Sequence, residues 1–152
     1  MKRFEKNSPS FSVQEKHEKL GLLLKELVER SSEGAVILVE GVKDAKALKS
    51  IGVSGKICCI KNRKIPLYDL LSEYVNVKEE LIVLTDFDRR GVQLAEKITR
   101  YLEKYGKHPN LTFWNRIYGF LSGEIKDVEG LSSYLKHVKR RYRKHPLSVM
   151  LS

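Results

Sequence analysis

Long hydrophobic runs are missing from this sequence. Apolar clusters such as LGLLL at 20–24 sit inside a charged helical pattern. They fall far short of the roughly 20 residues that span a bilayer. The opening, MKRFEKNSPS, is polar and lacks the apolar core of a secretory signal. Both absences lead us to expect a soluble, cytoplasmic protein with no membrane partner. Cysteine is scarce. The two present, Cys58 and Cys59, are adjacent, and on a strand their side chains point to opposite faces, which argues against a mutual disulfide. No CxxC spacing indicates zinc. The four histidines, His17, His108, His137 and His145, are scattered without metal-ligand spacing and read as surface residues. Acidic residues are in deficit: 19 Asp plus Glu stand against 29 Lys plus Arg, a formal charge of +10. Such a surface favours polyanions, above all nucleic acid, although a solvated basic face has the same composition.

What is present suits one globular domain. The chain has 152 residues, of which 41% are hydrophobic, enough to bury a single core. Leu20, Leu23, Leu24, Leu27 and Val28 recur at helical spacing within residues 12–32. This stripe suits either a sheet face or a dimer contact. AVILV at 35–39 reads as a strand buried on both faces, as in parallel sheets. A short helix over 44–50 follows, then KICCI at 56–60 as a second strand and the basic loop KNRK at 61–64. Pro66 suits the first turn of a helix reaching Tyr74. ELIVLTD at 80–86 is a third strand, residues 90–105 a helix, and LTFWN at 111–115 a fourth strand. Alternation on that strand would send one of Phe113 and Trp114 inward and leave the other for a nucleobase. A last helix is expected from Leu131. This order predicts an α/β fold: an about four-stranded parallel sheet, order 2-1-3-4, with helices on both faces. Residues 1–32 form a lead and packing helix, 33–135 the domain, and 136–152 a basic extension.

Two strands end in acids. VEGVKD supplies Glu40 and Asp44, and TDFDRRG supplies Asp86 and Asp88. In open α/β sheets ligands bind beyond the carboxyl ends of strands, where strand order reverses. Order 2-1-3-4 makes the first and third strands neighbours there, so Glu40 would face Asp86 and Asp88. Carboxylates that close repel one another unless a cation lies between them. Oxygen ligands favour a hard ion, Mg²⁺ or Mn²⁺, which also takes phosphate oxygens. Gly41 and Gly91 lie just past the two strands, where compact turns let backbone amides approach a ligand. Taken singly, DxD is commonly a helix cap, and Asp44 reads as the N-cap of the second helix.

The combination of apolar strand–EGxxD and apolar strand–DxDxxG resembles the Toprim domain over about residues 33–130. That family includes topoisomerase modules, bacterial-type primases, OLD-type nucleases and the small nuclease that matures 5S ribosomal RNA. The resemblance implies a Rossmann-like fold, with Glu40 as general acid/base or metal-placing residue and Asp86 and Asp88 as Mg²⁺ ligands. Asp44 would support the site, and Arg89 would lie near the phosphate. Arg90 stands where topoisomerases carry an acid, which is more similar to the primase and small-nuclease branches. Topoisomerases also need a catalytic tyrosine in a separate large domain, for which 152 residues leave no room. DVEGLSSYL at 127–135 is similar to a third element of the small nucleases and would bring Glu129 near the metal, or merely cap the last helix.

Lys43, Lys61, Arg63, Lys64, Arg89 and Arg90 fall on loops or helix starts after strands and could hold phosphates. Arg140, Arg141 and Arg143, with Tyr142 among them, would extend the grip or form a solvated tail. The expected function is Mg²⁺-dependent phosphodiester chemistry on nucleic acid, structured RNA favoured over DNA. The alternatives are a non-catalytic binding module in a homodimer or ribonucleoprotein complex, and primase-like nucleotidyl transfer.

Overall fold

The computed structural model describes residues 13–61, 64–120, 127, 128, 130, 131 and 133. It opens with helix α1, Val13–Ser32. The apolar stripe lies inward as its spacing requires: Leu20, Leu23, Leu24 and Leu27 are all buried. His17 falls on the same stripe and is buried too, which corrects its reading as a surface residue.

Strand β1, Val36–Val39, is the centre of the sheet, and all four residues are buried. It pairs in parallel with β2, Ile57–Cys59, on one side and with β3, Leu81–Val83, on the other. The sheet order is β2-β1-β3. The expected adjacency of the first and third strands is therefore present. Between the strands lie α2, Val42–Ser50, and α3, Leu67–Ser72; α4, Arg89–Lys104, and α5, Thr112–Phe120, follow β3. Pro66 stands at the N-cap of α3, one position before the helical turn expected for it.

Side-chain alternation along β1 divides the core. Ile37 and Val39 join the layer built with α1, α2 and α5, together with Val128 and Leu131. Val36 and Leu38 join the layer under α3 and α4. Cys58 is buried and Cys59 is partly exposed, and no disulfide joins them, as opposite faces of a strand demand.

The fourth strand is not formed among the described residues. It shrinks to one parallel bridge between Asn110 and Ile82. The Asn110 side chain then takes the N–H of Thr112 at 2.7 Å, a turn that diverts the chain out of the sheet and into α5. Phe113, Trp114 and Ile117 are consequently all buried, at helical spacing. Neither aromatic is left outside to stack on a base. A five-residue apolar run cannot be assigned by periodicity alone, and here the longer stretch through Phe120 decides for helix.

Candidate metal and phosphate site at the sheet edge

The carboxyl ends of β1 and β3 meet at one edge. Register pairs Leu38 with Val83, which sets Glu40 opposite Thr85, one residue before Asp86, and the Glu40 and Asp86 side chains interact. Glu40 is only 5% exposed. Its Oε2 accepts from Lys61 Nζ at 3.0 Å, and its backbone carbonyl accepts from the Lys61 N–H at 2.9 Å. Its Oε1 is buried with no hydrogen-bond partner, and so is Oδ1 of the half-buried Asp86. Burial first, then a hydrogen bond and charge repulsion from Glu40, push the Asp86 carboxyl up to about 8. The charges of Asp44 and Asp127 add to the shift. Three other acids thus disfavour a charge on Asp86.

The loop that carries Asp86 is pinned from three directions. Thr85 donates from Oγ1 to the carbonyl of Gly91 at 2.8 Å, and its own carbonyl accepts from Trp114 Nε1 at 3.0 Å. Phe87 points into the core and packs on Trp114, with ring centroids 5.6 Å apart. Asp88 caps α4, its Oδ1 accepting from the Gly91 N–H at 2.8 Å. Gly91 itself has no room for a side chain: a Cβ there would run into the backbone carbonyl of Asp86. The DxDxxG spacing therefore has a mechanical reason. The first turn of α4 lies directly against the loop, so the N-terminus of the helix starts at the same edge.

Asp44 is buried but is not the N-cap. Helix α2 starts two residues earlier than expected, with Gly41 at the cap and Asp44 in the first turn. The Asp44 Oδ2 accepts from the Gly41 N–H at 3.1 Å. A Cβ on Gly41 would meet nothing within 4 Å, so the backbone there borders open space. Lys43, Lys64, Arg89 and Arg90 are exposed, with Lys43 in the first turn of α2 and both arginines opening α4. Lys61 is exposed as well, yet its ammonium is committed to Glu40, which sequence reasoning had not foreseen. Asp127 was also missed. Its Oδ1 accepts from the Gly130 N–H at 2.6 Å, so this acid both caps a helical turn and adds its charge to Asp86. Arg63, Glu129, Arg140, Arg141 and Arg143 lie outside the described residues.

Among the described residues, no three His, Cys, Asp or Glu side chains are arranged as a ready metal cage. The donor chemistry nevertheless fits a hard cation. Glu40 and Asp86 each keep a buried oxygen unpartnered, and the Asp88 cap uses only one of its two oxygens. Carboxylate oxygens beside open space are the ligands that Mg²⁺ takes when it also keeps waters.

A three-stranded parallel α/β sheet with acids beyond two adjacent strand ends is Rossmann-like in class. The Toprim domain family matches residues 35–115, and the chain belongs to that family. It is 35% identical over 122 residues to a UPF0292 protein of Methanosarcina barkeri, covering 80% of this chain and 84% of the relative. A UPF0292 protein of Methanocaldococcus jannaschii is 36% identical over 119 residues, covering 78% of this chain and 91% of the relative. A solved structure of a protein from Aquifex aeolicus is similar at a TM-score of 0.59 and 26% identity, covering 79% of this chain and 98% of that one. Toprim domains typically bind divalent metal ions such as Mg²⁺, and the family places this chain in metal-dependent chemistry connected with nucleic acid. No helix of the described residues is long and apolar enough to cross a membrane.

Proposed function

We propose that the chain is an Mg²⁺-dependent phosphodiesterase of nucleic acid, with structured RNA as its substrate. The observation that carries this reading is the Glu40–Asp86 pair: a buried and a half-buried carboxyl, each with a buried unpartnered oxygen, with Asp86 pushed up to about 8. A scaffold would not keep such a pair without a cation or a proton to share. Glu40, Asp86 and Asp88 would hold the metal. Bound there, the ion would polarise a phosphoryl oxygen and lower the pKa of a water.

The remaining work falls to the chain. Glu40 Oε1 is the proton-transfer atom, within a site that Lys61 keeps electrically balanced. Asp86 Oδ1 orients from the pinned loop. Lys43, Lys64, Arg89 and Arg90 hold phosphates on either side, helped by the amide-rich start of α4. RNA is favoured by the resemblance to the small ribosomal-RNA nucleases and by the charge of +10.

One observation favours a second reading, a non-catalytic binding module. Asp88 already serves as a helix cap, and no three-acid cage stands ready among the described residues. The test is cleavage of labelled structured RNA and of single- and double-stranded DNA in Mg²⁺, Mn²⁺ or EDTA. Glu40→Gln and the Asp86→Asn/Asp88→Asn double variant run beside the wild type. Metal-dependent cutting that both variants abolish, with binding retained by Glu40→Gln, supports the nuclease. Binding without cutting in any metal supports the module. Incorporation of labelled nucleoside triphosphate would instead reveal nucleotidyl transfer.

A further inference from the structure

Away from the acidic edge, three tyrosines form a row on the outer face of α3 and α4. Tyr68 of α3 stacks on Tyr101 of α4, with centroids 5.1 Å apart and an interplanar angle of 23°. Tyr101 in turn meets Tyr105 at 5.0 Å and 55°. Tyr101 packs partly against the core beneath. The outer two do not: Tyr68 is 50% and Tyr105 53% exposed. Packing accounts for the middle ring and leaves two aromatic surfaces in water.

Cations flank the row. Lys97 lies four residues before Tyr101 on one face of α4, and Tyr105, four residues after it, is the C-cap of the helix. Lys104 reaches over the Tyr105 ring, 5.8 Å from its centroid. Of the nearby acids, Glu96 pairs with Arg100 at 3.3 Å, and Glu103 lies 3.6 Å from Nδ1 of His108. Asp69 remains next to Tyr68, and its charge reaches Tyr101. None of these residues belongs to the metal site.

We propose that Tyr68, Tyr101 and Tyr105 form a stacking platform for the unpaired bases of a single-stranded nucleic-acid segment, held by Lys97 and Lys104. Aromatic faces beside lysines are the recurring means of gripping single strands, because every base offers a flat face and every nucleotide a phosphate. A duplex hides those faces in its own stack, so paired segments gain nothing at the row. The platform would take the unpaired flank of a substrate whose phosphodiester is handled at the other end of α4. It rests on the reading of nucleic acid as the substrate.

The test measures binding of the full chain, in EDTA, to a labelled oligouridylate and to a duplex RNA of equal length. Tyr68→Ala/Tyr105→Ala should weaken the single strand about tenfold or more. Duplex affinity should stay unchanged, and Tyr68→Phe/Tyr105→Phe should bind as wild type. Ultraviolet cross-linking of the oligouridylate to wild type should map to peptides bearing Tyr68 or Tyr105, which needs no variant to fold. Unchanged single-strand affinity in the alanine variant, equal loss for both probes, or cross-links confined to other peptides would overturn the platform. So would a wild-type dimer that the alanine variant breaks with no change in binding. A wild type that binds neither probe takes down the nucleic-acid reading along with it. A wild type that cuts structured RNA while its single-strand affinity ignores the tyrosines takes down the platform alone.

Discussion

Lys61 is tied to Glu40 twice, by its ammonium to Oε2 at 3.0 Å and by its backbone N–H to the carbonyl at 2.9 Å. The second bond fixes where the side chain starts, so the first is made at small entropic cost. Lys61 thereby gives a buried acid a permanent counter-charge. Lys61→Met should cost about 1–2 kcal/mol in EDTA, because Glu40 is buried although the lysine is not. Thermal melts with and without Mg²⁺ check this: a fall of several degrees in EDTA, partly recovered by the metal. An unchanged melt would show the pair to be worth no more than an exposed one.

Asp86 makes the apo protein lose stability between acid and neutral pH. Its folded pKa lies at about 8 against an ordinary 3.8. Between those values the folded chain binds a proton that the unfolded chain does not. Stability therefore falls as pH rises through that window. Asp86 is half-buried and solvent screens it, so about 1–2 kcal/mol is expected rather than the full shift. Denaturant midpoints between pH 4 and pH 8 should drop for wild type and stay flatter for Asp86→Asn (~one acid fewer to titrate). Mg²⁺ should reduce the drop, since a cation takes over from the proton.

The two site glycines should behave oppositely. At Gly91 an alanine methyl has to displace the Asp86 carbonyl, so Gly91→Ala should destabilise by about 1–3 kcal/mol or more and shift the loop. At Gly41 the methyl enters open space, so Gly41→Ala should melt within about 0.5 kcal/mol of wild type. If Gly41 borders the substrate, activity should fall there without any loss of fold. Melting and cleavage, measured on both variants, separate the two cases.

Trp114 links α5 to the loop between the two strand-end aspartates. Trp114→Phe keeps a ring in the core and removes the donor to Thr85. It leaves a buried carbonyl short of a partner, at a cost of about 1–3 kcal/mol. Trp114→Ala should cost about 3–5 kcal/mol. Since the chain has one tryptophan, its emission should also report metal titration in the wild type, through Phe87 and Thr85.

The parts legible in the sequence were those where local pattern and tertiary role agree. AVILV and ELIVL read as buried parallel strands because both of their faces are in fact covered. The acids after them read as a site because nothing in strand chemistry asks for them there. LTFWN misled because five residues fit both periods, and one side-chain bond from Asn110 to Thr112 settles the matter. His17 was misread one residue at a time, although its spacing to Leu20 and Leu24 places it on the buried stripe. The commitment of Lys61 to Glu40 joins residues 21 apart and has no local signal at all. The DVEG stretch was read only as a possible helix cap, and the part of Asp127 in the field at Asp86 was missed because it depends on where the chain returns after α5.

Helix α4 begins at the acidic edge and ends among the tyrosines. Its 16 residues, at about 1.5 Å each, make a rod of about 24 Å. An enzyme that grips an unpaired strand at one end of such a rod and cuts at the other measures its substrate. The helix would then act as a ruler, fixing how many nucleotides separate the scission from the held base. Lengthening it by whole turns would move the cut along the strand and leave the chemistry as it was.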